Sequence, residues 1–208
     1  MERWQPGFLG PTDEIIMAKI IYLMGPSGSG KDSLLTGLKE QLHPESGFMV
    51  AHRYITRHWQ SGGENHIELS VDEFRLRQKL GLFAMSWEAN GHYYGIGCEV
   101  DTWLNANHSV IVNGSREHLP EAIEHYGECL IPVLIEVEEN SLRERLVNRG
   151  RESSEAIEAR IMRSKHYARA LSKECLIIHN NGSIDEAVSQ LIKLITHVTS
   201  ESNTFQHV

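Results

Sequence analysis

A chain of 208 residues is the size of one domain, long enough to bury a substantial core. Its 40% hydrophobic and 23% charged residues are those of an ordinary soluble globular protein. A net charge of −8 at pH 7 excludes the broad basic face that a nucleic-acid partner calls for, although a local arginine cluster still suits small anions.

Residues 1–16, with their Gly and Pro, read as a flexible N-terminal extension, and Met17 opens "MAKIIYLMG", itself a natural beginning. The apolar run "AKIIYLM" (18–24) ends at a Gly-rich turn and predicts a buried strand. Leu34, Leu35, Leu38 and Leu42 then recur at helical spacing from Lys31 onward. The segment 50–105 is polar, aromatic and rich in Gly, and reads as an insertion beside this strand and helix. Strand-like runs follow at 109–113 ("SVIVN"), 130–137 ("LIPVLIEV") and 175–179 ("CLIIH"), separated by helical stretches near 117–126, 140–149 and 154–172. A final helix, 183–198, has Ser183 as its cap and leaves a flexible tail, 199–208. Apolar strands alternating with helices predict an α/β fold over 17–198, a parallel sheet covered on both faces.

No apolar run is long enough for a membrane span and the N-terminus has no secretory pattern, so no membrane association is expected. The cysteines Cys98, Cys129 and Cys175 are odd in number and scattered, which reads as free thiols in a cytoplasmic protein. The twelve histidines lie singly and read mostly as surface or structural residues.

The chemistry starts at Gly25-Pro26-Ser27-Gly28-Ser29-Gly30-Lys31, a match to G-x-x-x-x-G-K in its required setting between strand and helix. The glycines let consecutive backbone N–H groups turn inward as an anion cradle at a helix N-terminus. Lys31 then reaches the β- and γ-phosphates of a nucleotide, with ATP the expected donor. The pattern asks next for Ser or Thr as a magnesium ligand, yet the chain has Asp32 there and Ser33 after it. A carboxylate is a hard oxygen donor, so Asp32 is the expected Mg2+ ligand. P-loop enzymes usually carry a second, metal-holding aspartate after an apolar strand, and that position is the neutral Asn113.

A basic cluster, Arg145, Arg149, Arg151, Arg160 and Arg163, spans two predicted helices. Alone it reads as a solvated helix face with Glu–Arg pairs. After a phosphate loop, Arg149 and Arg160 are better read as charge for a transferring phosphoryl group. A third cluster joins "HRYITR" (52–57) to "NGHYYGIG" (90–97).

Taken in order, "GPSGSGK", "TR", "GHYYG" and "RLVNRG", with Arg160 eleven residues after Arg149, resemble the guanylate kinase family over Lys19 to Val198. The resemblance implies a P-loop fold of three layers with a five-stranded parallel sheet, an acceptor-binding region (50–105) and a helical arginine lid (141–170). It implies that Arg57 and Tyr94 hold the acceptor's phosphate and that Asn180 contacts adenine. The departures bear on substrate. A base-reading glutamate of the family is Met85 here, a base-reading hydroxyl is Ile96, an acceptor arginine is Gln60, an acceptor tyrosine is His66 and a base-reading serine is Arg53. Guanine would meet no partners for its polar edges.

The stretches "GPSGSGKDSLL", "HRYITR" and "VNGS" resemble a branch of that family, the ribose 1,5-bisphosphate phosphokinases of bacterial phosphonate breakdown. That resemblance implies transfer of the γ-phosphate of ATP onto the sugar's 1-phosphate, with Arg53 gripping a second acceptor phosphate. A guanylate or other nucleoside monophosphate kinase and a non-catalytic binding module are the alternatives. Oligomeric state stays open, a homodimer included.

Overall fold

The first described strand shows how the sheet is made. In a computed structural model covering residues 18–43, 46–61, 64–150, 153–171 and 174–200, β1 (Ile20–Met24) is buried at every position. Burial on both faces is what a continuous apolar run with helices above and below requires. Its alternate side chains feed two cores. Ile20, Tyr22 and Met24 pack with α3 (Glu99–Asn105) and α4 (Leu119–Tyr126), whereas Ile21 and Leu23 pack with α1 (Lys31–Gln41) and α7 (Ile184–Ser200).

The main sheet has five strands in the order β2-β7-β1-β8-β9, all parallel. They are β2 (Phe48–Val50), β7 (Ser109–Asn113), β8 (Leu130–Glu136) and β9 (Leu176–His179) around the central β1. Connections run to one side of β1 and then to the other, so the C-terminal end of β1 is the switch point at which open α/β sheets bind ligands. The glycine loop leaves from that end.

Segment 50–105 forms a second sheet, ordered β4-β3-β6-β5, from β3 (Arg53–Ile55), β4 (Ile67–Glu68), β5 (Phe83–Ala89) and β6 (His92–Gly97). Asn90 and Gly91, both at positive φ, make the tight turn between β5 and β6 that two antiparallel strands need. Helix α2 (Val71–Lys79) is capped by the Ser70 hydroxyl. Two further helices, α5 (Glu139–Arg149) and α6 (Ser154–Leu171), share a small core of Leu142, Leu146, Ile157 and Ile161, separate from the two that flank the main sheet. No helix of the described residues is long and apolar enough to cross a membrane.

The last helix corrects one expected boundary. Residues 199 and 200 belong to α7, not to a flexible tail. The rest of that tail and the N-terminal extension 1–16 lie outside the described residues. The Ser183 hydroxyl accepts from Glu186 N–H at 3.3 Å, as a cap should.

Candidate active site

A cavity of about 700 Å³ opens beyond the C-terminal end of β1, between the glycine loop, the second sheet and α5–α6. Gly25, Pro26, Ser27, Gly28, Gly30, Lys31, Asp32 and Ser33 line its nucleotide side. Gly30 caps α1 at φ +84°, a left-handed conformation that glycine adopts without strain. A Cβ there would sit 2.5 Å from Asn180 Nδ2. That amide donates to Ser29 O at 2.7 Å, so a residue from the far edge of the sheet braces the loop.

Lys31 turns its ammonium back onto the loop, donating to Gly25 O at 2.6 Å and Pro26 O at 3.1 Å. Burial pushes its pKa down to about 8, against the pull of the Asp32 carboxylate. A phosphate in the cradle would stabilise the charged form. Asp32, in the first turn of α1, lines the cavity and accepts from Asn113 Nδ2 at 3.3 Å. One cavity-lining carboxylate beside a phosphate cradle fits magnesium, which is commonly held by one or two carboxylates and substrate phosphates.

The acceptor side is built from side chains that hold one another. The Arg53 guanidinium gives its Nε–Nη2 edge to both carboxylate oxygens of Glu64 and lies 5.1 Å over the Tyr94 ring. Tyr94 is stacked on Trp87, with ring centroids 5.7 Å apart. Arg57 reaches Glu64 Oε2 at 3.3 Å. Burial tends to raise the Glu64 pKa, but the bonds from Arg53 and the charges of Arg53 and Arg57 outweigh it and hold the carboxyl below its usual range. The His66 ring nitrogens lie 3.1 Å from Glu64 O and 2.9 Å from Arg57 O and so tie this loop together. Met85 and Ile96, where the family's base readers would stand, are 4% and 0% exposed and belong to the core under the main sheet.

Arg149, Arg160 and Arg163 line the third wall, and Arg160 Nη1 donates to Ser27 Oγ at 3.2 Å. The wall is joined to the sheet by the loop after β7. Arg116 lies 4.3 Å over the Tyr167 ring of α6, and Glu117 accepts the Tyr167 hydroxyl at 3.0 Å. Tyr22 fixes that loop from below. Its hydroxyl donates to Ser115 O at 3.1 Å and accepts from Ser115 N–H at 2.9 Å, and any side chain at Gly114 would run into its ring.

Most residues singled out from the sequence therefore meet in one cavity. Two do not line it. Ser29 is fully buried and offers the loop only its backbone, and Asn180, expected at adenine, spends its buried side chain on Ser29. Arg145 also proves structural, donating to Asn180 O at 2.9 Å, and Arg151 lies outside the described residues. Sequence reasoning missed Glu64 and Arg116. Glu64, in the loop before β4, gives no local signal, since its partner Arg53 is eleven residues away in β3. Arg116 directly follows "VNGS", and its position after a strand that ends beside the glycine loop could have flagged it.

A family model described as an AAA domain matches residues 21–163. The chain is similar to ribose 1,5-bisphosphate phosphokinase PhnN of Enterobacter lignolyticus, at 49% identity over 86% of this chain and 93% of that protein. It is similar to the protein of the same name from Desulfomicrobium baculatum, at 50% identity over 88% and 97%. Among solved structures, guanylate kinase from Anaplasma phagocytophilum superposes with a TM-score of 0.69 at 16% identity, covering 89% of this chain and 88% of its own, which speaks to the fold. With about half of the aligned residues identical across nearly the full length of such relatives, the chain belongs to the ribose 1,5-bisphosphate phosphokinase family.

Proposed function

We infer that this chain is a kinase that transfers the γ-phosphoryl group of ATP to the 1-phosphate of ribose 1,5-bisphosphate, giving 5-phosphoribosyl 1-diphosphate, in phosphonate degradation. The observation that carries the reading is the sealed base position. With Met85 and Ile96 in the core, neither base-reading position of the family offers a polar group, and the acceptor side is dominated by arginines and aromatic rings. A sugar with two phosphates and no base matches that inventory. The same feature argues against a guanylate kinase, and the intact glycine loop with Lys31 argues against a silent module.

The acceptor nucleophile is an anionic phosphate oxygen, so no general base is required and catalysis falls to positioning and charge. The backbone of residues 25–33 would cradle the ATP phosphates. Lys31, Arg149 and Arg160 would offset the charge on the transferring group, and Arg53, Arg57 and Tyr94 would hold the acceptor. Asp32 would hold Mg2+, which supplies further charge neutralisation on the phosphates when bound. The three free thiols and the ATP substrate suit a cytoplasmic enzyme.

The test is ADP release with ribose 1,5-bisphosphate, ribose 5-phosphate, GMP and AMP as separate acceptors. Turnover confined to ribose 1,5-bisphosphate is expected. Comparable turnover of GMP would overturn the assignment.

A further inference from the structure

Ribose 1,5-bisphosphate presents, besides its phosphates, neighbouring hydroxyls on C2 and C3. A hydroxyl both accepts and donates, and the cations lining the cavity can meet only its lone pairs, so its proton needs a hydrogen-bond acceptor. Three described carboxylates line it, those of Asp32, Glu64 and Glu117. Glu117 accepts the Tyr167 hydroxyl, and Asp32 sits at the start of α1 on the nucleotide side. Glu64 is the carboxylate that stands among the acceptor arginines.

Its bonding leaves room for the task. Glu64, with a side chain 9% exposed, takes the Nε–Nη2 edge of Arg53 and leaves Arg53 Nη1 for a phosphate. Its two remaining contacts are long, 3.3 Å to Arg57 Nη2 and 3.4 Å to Asn113 Nδ2. Contacts of that length yield readily to a hydroxyl donating at about 2.7 Å. The two residues that make them also hold buried polar atoms with no hydrogen-bond partner among the described residues, the donor Arg57 Nε and the acceptor Asn113 Oδ1. Such atoms are rare in folded proteins, and as both are closed to solvent here, a ligand hydroxyl meets them once the long contacts beside them give way. A hydroxyl both donates and accepts, which is what a carboxylate flanked by one unpaired donor and one unpaired acceptor asks for.

We propose that Glu64 accepts hydrogen bonds from the ribose hydroxyls of the acceptor and so selects ribose over a sugar bisphosphate that lacks them. The inference rests on ribose 1,5-bisphosphate being the acceptor. It gives Glu64 two simultaneous duties, holding Arg53 in place along one edge and reading the sugar with its remaining lone pairs.

The experiment compares kcat/KM for ribose 1,5-bisphosphate and 2-deoxyribose 1,5-bisphosphate in the full chain, in Glu64→Gln and in Glu64→Ala. One charged hydrogen bond to a hydroxyl predicts a wild-type preference for ribose of about ten- to a hundredfold. The preference should shrink in Glu64→Gln, whose amide oxygen still accepts, and collapse toward parity in Glu64→Ala. Glu64→Gln is nearly isosteric, so it keeps the comparison available should Glu64→Ala fold poorly. A preference unchanged in Glu64→Gln, with both acceptors weakened or strengthened alike, would overturn the proposal and leave Glu64 as a clamp on Arg53. Wild-type enzyme that treats both acceptors equally would also overturn it. No wild-type turnover of ribose 1,5-bisphosphate at all would instead remove the functional reading on which the proposal stands.

Discussion

The two halves of the cavity are built by opposite means. On the nucleotide side the binding groups are backbone N–H donors, placed by a strand buried at every residue and braced by the buried amide of Asn180. On the acceptor side they are side chains whose positions depend on each other, Arg53 on Glu64 and Tyr94, and Tyr94 on Trp87. A backbone cradle tolerates almost any side chain that points away but none that points in. A side-chain cluster is the reverse, since one residue can change and alter the ligand without disturbing the fold. A single framework can thus keep its phosphoryl donor while its acceptor diverges.

The harshest test of that contrast is Gly30→Ala. A side chain at φ +84° costs about 1–3 kcal/mol in backbone strain. The methyl group also displaces Asn180 from Ser29, removing a hydrogen bond worth about 1 kcal/mol. ATP affinity should fall on the order of a hundredfold, read by calorimetry, and the melting temperature should drop with it. Unchanged ATP binding would mean that the loop is not held as rigidly as its bonds imply.

Arg53→Ala should act on one side alone. Losing a charge-assisted contact to phosphate raises the KM for ribose 1,5-bisphosphate by roughly ten- to a hundredfold while ATP affinity stays within a factor of about two. An equal loss for both substrates would erase the division between the halves.

The smallest effect is expected at the seam. Asn113 bridges Asp32 on the nucleotide side and Glu64 on the acceptor side, at 3.3 and 3.4 Å. Asp32→Ser should cost activity and weaken the dependence of ATP binding on magnesium. Asp32→Ser with Asn113→Asp should recover a few-fold of the loss by returning a carboxylate to the same neighbourhood. Residues in contact couple by about 0.5–3 kcal/mol, so additive changes in a double-mutant cycle would break the link between the two positions.

The same division governs what the sequence reveals. Four strands of the main sheet stand out as apolar runs, β1 and β7 because burial at every position disfavours polar residues. The fifth, β2, does not, because it has three residues at the sheet edge and none fully buried. The second sheet escapes notice for another reason. β3 and β4 have only three and two residues, β6 is interrupted by Gly95, and β3 and β6 carry ligand-facing residues where alternation would demand apolar ones. The Asn90-Gly91 pair was the one strong local sign of its hairpin. In the site, glycine spacing betrays the cradle because geometry dictates it. Arg53 and Tyr94 are recognisable only through family resemblance, and Glu64 not even so, since its meaning comes from a partner eleven residues away in β3.

Met85 and Ile96 carry a consequence for how such an enzyme can evolve. Their side chains do not merely decline a purine; they are part of the material from which the main core is made, alongside Val100, Val110 and Leu134. Restoring a base-reading carboxylate at Met85 would place a charge where apolar packing now stands, and the chain would lose stability before it gained a substrate. At these two positions, unlike at Arg53 or Glu64, substrate choice is entangled with folding itself. A change toward a base-reading site is opposed by the loss of folded chain it brings, even where no competing nucleotide is present.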